Sequence, residues 1–125
     1  MSDIKARLLS LTADRCEAVE IPNVGTVYLH AMSEIERANF EAVAAEAKDQ
    51  KRIKRLLICM TCRASDSKVT EPIFSGRDIS DMGHMDSAVI DKLATTAMKV
   101  CGIGEVDLAD LLKKPASDSK TTVAG

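Results

Sequence analysis

Apolar residues in this chain recur at two different periods, and the change from one to the other sets the architecture. Between residues 19 and 30 the period is two. Val19 and Ile21 face one way and Glu20 the other; after Pro22-Asn23-Val24-Gly25, Val27 and Leu29 alternate with Tyr28 and His30. Two short β-prone runs around a Pro/Asn/Gly turn read as a hairpin. An isolated hairpin is marginal in water, so this one must pack on helices or pair with a neighbouring subunit.

Elsewhere the period is helical. Ile4, Leu8 and Leu11, with Leu9 beside them, predict a short helix over 3–11. Ser33-Glu34-Ile35-Glu36 is a capping box ahead of Phe40, Val43, Ala44 and Ala47, which predicts a helix over 33–48. In 51–63, Ile53, Leu56, Leu57 and Met60 repeat the spacing, and Ile58, Cys59 and Cys62 widen the apolar surface. A strand is the alternative for 55–62, but the length and the flanking Lys/Arg favour a buried helix. Residues 64–74 read as a polar loop, followed by a cap at Ser75-Gly76-Arg77-Asp78 and a short helical turn closed by Gly83. The clearest amphipathic helix runs from Asp86 to Cys101, with Val89, Ile90, Leu93, Ala94 and Ala97 on its apolar face and Gly102 as C-cap. A last helix carries Val106, Leu108, Leu111 and Leu112 and is stopped by Pro115.

The expected fold is therefore mainly α (α+β): a small helical domain with one N-terminal β-hairpin and about five helices. Residues 1–114 form a single domain and 115–125 a polar, disordered tail. At 125 residues the chain can bury a core without disulfides or metal. Its only aromatic residues are Tyr28, Phe40 and Phe74, so that core is aliphatic, with six methionines to fill irregular gaps. There is no run of apolar residues long enough to span a bilayer and no signal-peptide layout at the N-terminus, which points to the cytosol and to no membrane partner.

Candidate chemistry is sparse. Cys59 and Cys62 form one Cys-x-x-Cys; Cys16 and Cys101 stand alone, and His30 and His84 lie far from the pair. A structural zinc site wants two such pairs or spaced histidines, and a redox pair wants a helix N-terminus, so these cysteines read as small core hydrophobes. Asp81, His84 and Asp86 flank Gly83 but nothing completes a coordination shell, and no serine lies in a nucleophile elbow. The chain is expected to have no catalytic residues, no metal and no cofactor.

The strongest charge feature is Lys48, Lys51, Arg52, Lys54 and Arg55, in a chain of net charge −2. Without aromatic stacking residues or a recognised module, nucleic acid is not the expected partner. The cluster reads as the solvated start of a buried helix, with docking of an acidic partner as a minority reading. A small adaptor or regulator binding nucleic acid through Lys48–Arg55 remains the alternative function, and a redox or zinc protein centred on Cys59 and Cys62 a third.

Taken in order, Glu20-Ile21-Pro22, Gly25-Thr26-Val27-Tyr28-Leu29 and the run Ser33 to Phe40 resemble the tail assembly chaperones of long flexible-tailed phages. The resemblance continues through Lys51 to Cys62, Ile73-Phe74-Ser75, Asp78-Ile79, Met82-Gly83 and Val89 to Gly104, and so covers about residues 4–112. It rests on order and spacing, because each motif alone is a cap, a turn or a core position. The loop 64–72 lacks the family's glycine, Cys101 stands where Asn is common, and Ala94 and Ala97 stand where bulkier residues are usual.

The resemblance implies a non-catalytic protein of the host cell cytoplasm, absent from the mature virion. It would bind the tape measure protein, keep it soluble and help recruit major tail protein to the growing tube. In many members a ribosomal frameshift adds a second domain that contacts the tube subunit, and the polar end after Pro115 is compatible with an unextended product. Self-association into an oligomer or ring is a further expectation from the resemblance. A helix-in-groove mode would cover apolar stripes of the tape measure protein, with Ile53, Met60, Met98, Leu112, Arg52 and Arg55 as the expected contact residues.

Overall fold

The computed structural model describes residues 2–47 and 49–113. It is an α+β fold with six helices and a three-stranded antiparallel sheet in the order β1-β2-β3. Helix α1 (Ser2–Leu9) is followed by the hairpin β1 (Cys16–Ile21) and β2 (Gly25–His30), then α2 (Glu34–Ala44) and α3 (Gln50–Thr61). The short strand β3 (Cys62–Arg63), a 3₁₀ turn at Gly76–Asp78, α4 (Ile79–Met82), α5 (Ser87–Cys101) and α6 (Glu105–Lys113) complete the order.

The hairpin closes where turn chemistry requires it. The Val24 N–H donates to the Ile21 carbonyl at 3.0 Å, with Pro22 and Asn23 between them and Asn23 at φ 68°. Proline fixes the first central position and asparagine tolerates the left-handed second, as in a type II turn. Cys16 to Ile21 then pair with His30 to Gly25 in register.

Four expectations are corrected by the chain's path. Helix α1 ends at Leu9 rather than 11, where the Leu11 N–H closes a turn on Leu8 O at 3.1 Å instead of continuing the helix. Helix α3 ends at Thr61 rather than 63, because Cys62 turns extended (φ −85°, ψ 123°) and pairs with Leu29, as Arg63 does with Tyr28. Helix α2 stops at Ala44 rather than 48, where the backbone swings round to place Asp49 as the N-cap of α3, accepting from the Arg52 N–H at 2.8 Å. His30, read as alternating outward, is buried. The segment after β3 covers that face, and the His30 Nε2 lies 2.8 Å from the Ser65 carbonyl oxygen.

Local caps form where the sequence places them. The Ser33 N–H donates to Glu36 Oε1 at 2.8 Å, and the Glu36 N–H to Ser33 Oγ at 3.2 Å. Helix α5 starts on Asp86, whose carboxylate accepts from the Ala88 N–H at 2.9 Å, and closes at Gly102 with φ 71°. There the Ile103 N–H reaches Met98 O at 2.9 Å and the Gly102 N–H Lys99 O at 3.3 Å, the Schellman pairing, with Ile103 and Met98 both buried as its apolar clasp.

Helix α3 is the hub. It packs against α2, α4, α5, α6 and β2, while α5 lies across β1 and β2. One core joins Leu29, Phe40, Ile53, Leu57, Ile58 and Leu108, all without exposed surface. Ala94 and Ala97 are buried on α5, and their small side chains leave the room between α5 and its neighbours to the aliphatics of α3 and β2. No helix among the described residues is long and apolar enough to cross a membrane. The expected tail, 115–125, lies outside the described residues.

The 64–72 segment is tied down by one lysine. Lys68 Nζ donates to Ala31 O at 2.8 Å and Ala13 O at 3.1 Å, and pairs with Glu36 Oε1 at 2.6 Å. Burial alone would raise the Glu36 carboxyl; the Lys68 hydrogen bond and charge, with the Ser33 contacts, outweigh it and leave its pKa below the ordinary value.

Candidate docking surface

The basic segment divides once α3 is folded. Lys51, Lys54 and Arg55 fall at i, i+3 and i+4 and share a face. Lys54 pairs with Glu105 of α6 at 3.1 Å, and the Gln50 side chain holds the same carboxylate at 2.8 Å. Arg55 donates from Nη1 to the Ile79 carbonyl at 2.8 Å. That contact uses Gly83: a Cβ there would stand 3.0 Å from Arg55 Nη1. Lys48 lies outside the described residues.

These three cations form one wall of a groove of about 440 Å³. Met82, Met85 and Ile90 give it an apolar lining, and Ser87 and Asp91 of α5 line it as well. Met82 is buried, whereas Met85 and Ile90 are half-buried. Flexible thioethers beside an aliphatic branch can accept apolar groups of more than one shape. A smaller depression of about 220 Å³ lies between α2 and α3, lined by Val43 and Arg52 among others.

A second apolar surface lies at the N-terminus. Ile4, Leu8 and Leu9 of α1 are 57 %, 63 % and 73 % exposed, and Leu11, just past the helix end, is 77 % exposed. An Asp3–Arg7 ion pair at 3.2 Å sits on the polar side of α1. Helix α1 has none of the packed interfaces that join the other helices. Ile35 and Val43 add exposed aliphatic surface on α2.

The six expected contact residues do not converge. Ile53 is fully buried in the core, Met98 is buried on α5, and Met60 is half-buried against the same cluster. Arg55 lines the larger groove and Arg52 the smaller one. The Leu112 side chain lies outside the described residues. The residues missed were Met82, Met85 and Ile90, which come together only through the α4–α5 turn. The α1 stripe was visible as helical spacing; its lack of a partner was not.

Cys59 and Cys62 are both buried, and all four cysteines are free. Burial pushes the thiol of Cys59 up to about 11, with the Asp78 charge adding to it, and that of Cys62 likewise to about 11. Burial raises Cys101 too. A nucleophilic or metal-binding thiolate needs a shift in the opposite direction. Among the described residues, no three His, Cys, Asp or Glu side chains are grouped to hold a metal ion.

No protein-family model matches the chain, and no curated protein does. Among solved structures the chain is similar in fold to the bacteriophage HK97 tail assembly chaperone, with a TM-score of 0.51, 16 % identity, and coverage of 77 % of this chain and 96 % of that one.

Proposed function

We propose that this chain is a phage tail assembly chaperone that works by binding. The observation that carries the reading is the shared fold, which spans 96 % of the HK97 tail assembly chaperone. The partner in this reading is the tape measure protein, whose long helices carry apolar stripes that aggregate when bare. The chain covers them in the host cytoplasm until major tail protein, recruited through a frameshift-extended form, assembles into the tube around them.

Uncovered aliphatic side chains support this. An N-terminal segment that leaves Ile4, Leu8 and Leu9 of α1 and the following Leu11 in water forgoes about 1.5–3 kcal/mol for each buried equivalent. Such a stripe can pair with the stripe of another helix. The contact surface centres on α1, with Arg52 and Arg55 on separate α3 surfaces as further contacts, while Ile53 and Met98 serve the chain's own core.

Coexpression tests it. The tape measure protein encoded with this chain should stay in the soluble fraction when the two are made together and pellet when made alone. A tape measure protein that pellets despite abundant, folded partner would reject the reading.

A further inference from the structure

The fold uses the α3 cations only in part. The groove beside them has a sign opposite to the molecule, whose net charge is −2. Among the described residues neither Lys51 nor Arg55 has an ion-pair partner; Lys54 alone of the three is neutralised, by Glu105. Arg55 spends Nη1 on Ile79 O, which fixes the guanidinium against α4 and leaves its other donors for an incoming carboxylate.

We propose that the groove between α3 and the α4–α5 turn receives an acidic amphipathic helix of a partner polypeptide. Its apolar anchors seat on Met82, Met85 and Ile90, and its flanking carboxylates meet Lys51 and Arg55. This deepens the chaperone reading and rests on it only for the source of the helix. A volume of about 440 Å³ holds a few aliphatic side chains rather than a whole helix, so the helix rests across the mouth with successive anchors inserted. The methionine lining tolerates anchors of different shape, which suits a partner presenting many similar turns rather than one unique segment.

The lining chooses between macromolecules. Asp91 of α5 lines the groove together with the α3 cations, and no aromatic side chain is among the lining residues. A nucleic-acid backbone seated there would meet that carboxylate and find nothing to stack on. An amphipathic helix fills the apolar lining and offers its carboxylates to the α3 cations, which outnumber the single lining carboxylate.

The test uses labelled synthetic helices of about five turns, with leucines on one face and glutamates flanking them. A second peptide carries lysine for each glutamate, and binding to the full chain is read by fluorescence anisotropy at physiological salt. The glutamate peptide should bind about tenfold more tightly than the lysine peptide. Lys51→Glu, at an exposed position, should erase that preference, and Asp91→Lys should strengthen it. Equal binding of the two peptides, or a preference indifferent to Lys51→Glu, overturns the proposal. So does a DNA duplex that binds more tightly than the glutamate peptide and depends on Lys51, which would make the groove a nucleic-acid site. A chain that solubilises the tape measure protein yet ignores the glutamate peptide rejects the groove assignment alone. Peptide binding without solubilisation leaves the groove standing and rejects the chaperone reading.

Discussion

Phe40 and Leu57 lie in the core with no exposed surface, and Phe40 is the one fully buried aromatic residue among those described. Phe40→Ala should cost about 3–5 kcal/mol and Leu57→Ala about 2–5 kcal/mol, read from denaturant midpoints. The thiols give a separate check at the same scale. With values near 11, Cys59 and Cys62 are about one part in a thousand thiolate at pH 8. Alkylation of the native chain should spare both, and denaturation should expose them together; rapid native-state modification of either would contradict their placement. At this scale much was legible in the sequence. The Ser33 box, the Asp86 cap and the Gly102 closure are local chemistry, decided within a few residues. His30 was not legible, because its burial depends on Ser65, distant in sequence and reached only after β3 turns the chain.

Helices declared themselves by period, and their ends less well. Strand β3 has two residues, too few for any alternation to show, and exists because the end of α3 is delivered alongside β2. The 64–72 strap was read as a plain polar loop, since nothing in its composition distinguishes Lys68 from other lysines. Its contribution is testable by pH. The Glu36 carboxyl lies below its ordinary value of 4.5 when folded, so the pair stabilises fully above that value and is lost as pH falls through the lowered one. Glu36→Gln should flatten that part of the acid limb of a stability–pH curve. Lys68→Met should lower stability by about 1–2 kcal/mol at neutral pH, by leaving Ala31 O and Glu36 without their donor. An acid limb identical in wild type and Glu36→Gln would remove the strap from the account.

On the scale of the whole molecule, one core built on α3 stands apart from a helix that contributes little to it. Removing residues 2–9 should leave the thermal midpoint within about 3 °C, because no packed face is lost. The periodic pattern of α1 made it legible as a helix, but whether a stripe is buried is a tertiary fact. The same is true of the groove: Lys51, Lys54 and Arg55 were visible as charge, and Met82, Met85 and Ile90 as apolar residues, with nothing to join them until α4 folded against α3. The expected contacts at Ile53 and Met98 illustrate the converse, since amphipathic spacing alone does not distinguish a core face from a docking face.

The central claim is that this chain shields apolar helices of a tape measure protein, and light scattering on dilution of that protein from denaturant tests it most directly. Equimolar chain should suppress the rise in scattering, and the Leu8→Asp variant, equally folded by circular dichroism, should suppress it much less. Scattering that rises as fast with the wild-type chain as with an inert protein of the same size would contradict the claim.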